Sequence, residues 1–105
     1  MNTNRSISEQ YSDALEAAAL AKNEAMRLGK IAERAFAEVF LREEGSVDVR
    51  KQRATINETY KAADDARIAA ESAHNLAKAK ADAVAVRFEE WRTREATMRA
   101  EMNLR

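Results

Sequence analysis

Proline is absent from this chain, and glycine stands at two positions only, Gly29 and Gly45. These two residue types are the strongest breakers of helices. A chain without them folds as helix wherever its apolar residues keep a helical period. The rest of the composition agrees. Charged residues make up 34% of the chain and alanine is the commonest residue, a balance typical of long helices. The expected class is all-α, in one domain spanning residues 1–105.

The first apolar stripe runs Ile7, Tyr11, Ala14, Ala18, Ala21, Ala25, Leu28, Ala32, Ala35, Val39. Its steps alternate four and three, the spacing of a coiled-coil seam. Leu15, Ala19, Met26, Phe36 and Phe40 widen it. Ser6 or Ser8 can cap the helix start, and Ser6, with Glu9 three residues on, has capping-box spacing. The break is "LREEGSVDVRK". Gly45 suits the left-handed position just past a helix end, and Ser46 with Asp48 suits the start of the next helix. These signals predict a helix over about 7–43, a turn at 44–46 and a helix over about 47–104, folded back as a long antiparallel hairpin. Gly29, inside the first helix, marks a close approach between helices.

The second helix carries two columns at heptad spacing. One reads Val49, Ile56, Ala63, Ala70, Ala77, Val84, Trp91, Met98. The other reads Arg53, Tyr60, Arg67, His74, Ala81, Phe88, Glu95, Met102. A further small-residue face, Ala62, Ala66, Ala69, Ala73, Leu76 and Ala83, suits a bundle of three or more helices. If Glu43 lies opposite Val47, Ile7 comes opposite about residue 82, and roughly 33 Å of helix extends beyond it. That overhang holds Val84, Phe88, Trp91, Met98 and Met102, large apolar side chains that the first helix is too short to cover. They are the expected oligomer interface, most simply with a second copy of the chain. The competing arrangement folds the helix back near Lys78–Ala85 as a third helix.

Other chemistry is weaker. Glu71 and His74 have the Glu-x-x-His spacing of carboxylate-bridged metal bundles, with Glu16 at about the matching height, but Glu71 falls outside the seam. A carboxylate–histidine metal site is therefore only a second alternative, and no metal or other cofactor is expected. Nucleic acid is the first alternative, through Arg87, Arg92, Arg94 and Arg99 beside Trp91, or through Arg50, Lys51 and Arg53 after the turn. Against it, Arg50, Lys51 and Arg53 sit among Asp48, Glu43 and Glu44 and are largely neutralised, Glu90–Arg94, Glu95–Arg99 and Glu101–Arg105 have the spacing of helix ion pairs, and net charge is zero. No glycine-rich phosphate loop and no cysteine occur, and the single histidine lacks triad partners, so no enzyme is expected. The start "MNTNRSISEQ" is not a signal peptide, and no apolar run is long enough to span a bilayer. A cytoplasmic protein without membrane contact is the expectation.

Gly45, Ser46, Val47 and Arg50, then Glu89, Trp91 and Arg92, then Arg99–Met102 together resemble a group of small helical proteins of tailed bacteriophages and prophages. The resemblance covers about the last 60 residues. It implies an early-region gene near those for single-strand annealing, and so an accessory role in phage DNA recombination or replication. A phage or host recombination protein is the partner it implies, in the host cytoplasm. The functional expectation is a non-enzymatic, oligomeric protein–protein interaction factor.

Overall fold

The computed structural model describes residues 6–104. They form an all-α helical hairpin of three helices, α1 (Ile7–Arg42), α2 (Val47–Ile56) and α3 (Glu58–Asn103). Both expected caps are made. Ser6 Oγ accepts the Glu9 N–H at 3.2 Å, and Ser46 Oγ accepts the Val49 N–H at 3.3 Å. Gly45 turns the chain between them with φ of 115°, a conformation that a residue with a Cβ rarely adopts.

The expected unbroken helix over 47–104 is corrected at one residue, Asn57. Its backbone is extended (φ −65°, ψ 132°), and its N–H bonds back to the Ala54 carbonyl at 3.3 Å. Its Oδ1 accepts the N–H groups of Thr59 at 2.9 Å and Tyr60 at 3.1 Å. Asn57 thus ends α2 and caps α3. Asparagine is among the strongest caps, and it follows Thr55 and Ile56, whose branched side chains are stiff in a helix. Ahead of Asn57 the inward positions are Arg50 and Ala54, one residue later than the expected Val49, Arg53 and Ile56. Ile56 is left 70% exposed. After it, Tyr60, Ala63, Arg67, Ala70, His74, Ala77, Ala81, Val84 and Phe88 follow the expected columns. Replacing Asn57 by Ala removes the cap and should cost about 1 kcal/mol. Urea unfolding should show that loss, with no loss of helical circular dichroism, because alanine lets α2 run into α3.

Two compact units share these helices: Leu20–His74, and the described residues up to Ala19 together with those from Asn75 on. In the first, Ala32, Ala35, Val39 and Ala54 are buried. Phe36 meets Tyr60 edge-on at 5.3 Å between ring centres and stacks with Phe40 at 6.4 Å. The close approach expected at Gly29 is not what requires the glycine: a Cβ there would sit 4.0 Å from Arg67 Cδ, an ordinary van der Waals contact. Of the flanking residues expected to widen the seam, Phe36 and Phe40 are half-buried, whereas Leu15, Ala19 and Met26 are exposed.

Pairing is displaced from the expected register. Glu43 meets Arg53 at 3.3 Å rather than lying opposite Val47, which is 53% exposed. Packed helix axes lie about 8–10 Å apart, and the first turn of α2 is used in crossing that gap. In the other unit Tyr11 packs on Phe88 at 5.2 Å, so Ile7 comes opposite about residue 92. Val84 and Phe88, expected in the overhang, are therefore half-buried within the paired region. α3 also continues through 78–85, and no third helix folds back there.

Candidate functional site

Three places carry the candidate residues. The first is the start of α2. The position of Arg50 there follows from Ser46 and Asn57, which set the rotation of a ten-residue helix between two caps. Its Nε donates to the Phe40 carbonyl at 3.0 Å, and its guanidinium lies 4.1 Å over the Phe40 ring. The bond takes up a carbonyl near the end of α1, which has no intrahelical partner to offer it. Arg53 Nη1 reaches Glu43 Oε2 and the Glu44 carbonyl, both at 3.3 Å. Two of the three cations offered as alternative phosphate contacts here clamp the end of α1, Arg53 on the expected neutralising partner Glu43. Lys51 is exposed.

The second is an open groove in the Leu20–His74 unit, with Met26, Phe36, Tyr60, Arg67 and His74 along it. Arg67 lies on the seam and is held by Asp64 at 2.7 Å and Glu71 at 2.9 Å. The hydrogen bonds it donates to Asp64 first and Glu71 second raise its pKa above the usual arginine value. Glu71 is thus committed to Arg67. The charged residues of α1 that line the groove are the cations Lys22 and Lys30 and the carboxylate Glu33. Among the described residues, no group of three His, Cys, Asp or Glu side chains is gathered in a way that could hold a metal ion.

The third is the C-terminal part of α3. Trp91 keeps contact with the paired region, 5.9 Å from the Phe88 ring, yet is 40% exposed. Met98 is 55% and Met102 70% exposed. These three and Glu95 continue the column that buries Ala81 and half-buries Val84 and Phe88. The heptad therefore outlasts its partner: beyond about residue 92 no described residue of α1 stands opposite. The arginines do not pair as the spacing suggests. Arg92 pairs with Glu89 at 3.3 Å and lies 5.9 Å from the Phe88 ring centre. Arg87, Arg94 and Arg99 make no ion pair among the described residues, and all three are exposed. Glu101–Arg105 lies outside the described residues.

The cap at Asn57 had a sequence signal, a strong capping residue after two β-branched ones and ahead of Glu58. Arg50 on Phe40 had none, since that contact depends on the register across the turn. Among the described residues, no helix is long and apolar enough to cross a membrane. Comparison with known protein families, with curated proteins and with solved structures found no match.

Proposed function

We propose that the chain is a non-enzymatic helical interaction protein that self-assembles through the C-terminal part of α3. The observation that carries this is the exposure of Trp91, Met98 and Met102 on the stripe whose earlier members are covered by α1. Large apolar side chains in one line are unusual on the surface of an isolated soluble chain. Covering what they and Leu104 leave exposed stabilises by on the order of 5 kcal/mol per chain, or roughly 10 per pair. The loss of freedom on association takes back at least about 4. The remainder is at most about 6 kcal/mol, which sets the tightest Kd at tens of micromolar.

The resemblance of the turn and tail motifs to early-region phage proteins supports a place as an accessory of phage DNA recombination or replication. The assembled protein would then act on a phage or host recombination protein. A second reading has its own support: Arg87, Arg94 and Arg99 are free of ion pairs among the described residues and stand near a half-exposed Trp91. That combination is suited to single-stranded nucleic acid, where bases stack and cations hold phosphates.

Sedimentation velocity over micromolar to several hundred micromolar protein distinguishes them. Self-assembly predicts a rising sedimentation coefficient that survives high salt. A chain that stays monomeric throughout, and binds single-stranded DNA with a steep salt dependence, would refute self-assembly and favour the second reading.

A further inference from the structure

We infer that the C-terminal segments of two copies pair antiparallel, tail across tail. This rests on the self-assembly proposed above and adds its orientation. With Trp91 and Met98 as d positions of a heptad, Phe88, Glu95 and Met102 are a positions. Arg87, Arg94 and Glu101 are then g, and Arg92 and Arg99 are e. Tyr11 already covers Phe88, so the segment free to pair runs from Trp91 to Met102.

A parallel, in-register pair sets each a position against itself. Glu95 would then meet Glu95 of the second copy inside the seam. The flanks would be no better, because a g residue lies near the e residue five further on in the partner. Arg94 would face Arg99, and Arg87 would face Arg92, on both sides. Every charged contact in that arrangement is between like charges, and both the seam and its edges oppose it.

Turning one copy around removes most of this. An a position now meets a d position, so Trp91 lies against Met102 and Glu95 against Met98 of the second copy. Positions g meet g, which brings Arg94 to Glu101 twice over. Neither of these side chains has an ion pair among the described residues, so both are available. One kind of like pair is left, Arg92 with Arg99, also twice over. It is eased because Arg92 is turned toward Glu89 and the Phe88 ring in its own chain. Charge pattern and free apolar length therefore select the same orientation.

The chain has no cysteine, so single thiols can be placed freely. Leu104→Cys, at a position 87% exposed, carries a spin label. In the antiparallel pair Leu104 lies opposite about residue 89 of the second copy. The two labels are then separated by roughly 22 Å along the axis, and pulsed electron resonance reads that distance. In the parallel pair they are neighbours. Met102→Cys gives the converse readout. Its homodisulfide forms readily in the parallel pair and is lost in the antiparallel one, where the two thiols stand roughly 16 Å apart along the axis.

Sedimentation of both variants comes first. An associated protein with the long label distance and no Met102→Cys disulfide is the expected result. An associated protein with the short distance and ready disulfide overturns the orientation but leaves self-assembly standing. A monomer at every concentration, in the parent protein as in both variants, overturns both.

Discussion

Changing Met98 and Met102 together to Glu should abolish self-association while leaving the hairpin folded. Both side chains are more than half exposed in the single chain, so their replacement removes little from its own stability. In a pair, each copy loses two apolar contacts and gains two carboxylates in the seam, beside Glu95. At about 1 kcal/mol for each methionine covered, counted on both copies, association weakens by about 4 kcal/mol, roughly a thousandfold in Kd. A Kd of tens of micromolar would move beyond reach of any practical concentration. Sedimentation should give a monomer, and circular dichroism should show helix content unchanged. A double variant that assembles like the parent protein would place the interface elsewhere. The second exposed face, Ala62, Ala66, Ala69, Ala73 and Leu76, would then be the next surface to change.

How far the sequence determined this structure depends on which interaction sets each feature. The α1 stripe from Ile7 to Val39 was readable because period and burial are the same physical fact. A helix that must bury one face shows it in residue spacing, and every residue of that stripe is buried or half-buried. The turn was readable for local reasons, since Gly45 and Ser46 act through their own backbone and near neighbours. Asn57 was readable in principle, but a continuous heptad on either side hid it. The rotation it imposes moved Arg50 and Ala54 inward in place of Val49, Arg53 and Ile56, and with them went the alternative of a phosphate-facing start of α2. Register was the least readable feature. It is set by how the chain crosses from Arg42 to Val47, and no spacing within either helix reports it. A displacement of this kind took Val84 and Phe88 out of the candidate interface and left Trp91, Met98 and Met102 in it. The arginine pairs were expected from spacing alone. Exposed helix pairs are worth only a few tenths of a kcal/mol, too little to fix long side chains against solvent.

Adding apolar surface to this protein should destabilise it where the helices touch. Ala54 is wholly shielded from solvent, and its buried companions in the same unit are Ala32, Ala35 and Val39. Among the described residues, no large side chain is fully buried. Small residues at the contact let two helix backbones approach closely, and the stability of the pair comes from that approach rather than from bulk. Ala54→Leu has no space to enter. It must push α2 away from α1, which strains Arg50 on Phe40 and Arg53 on Glu43 at the same time. Overpacking of this kind costs about 1–3 kcal/mol, and the upper end is expected because α2 is only ten residues long and held by a cap at each end. For a domain of this size that lowers Tm by roughly 10–15 °C. Ala62→Leu adds the same side chain on the exposed face of α3 and should change stability by less than about 0.5 kcal/mol. Thermal unfolding of the two variants side by side separates shape from hydrophobicity. If Ala54→Leu were as stable as the parent, close packing at Ala54 could not be what joins α2 to α1. The clamp of Arg50 and Arg53 on the end of α1 would then have to hold the hairpin closed.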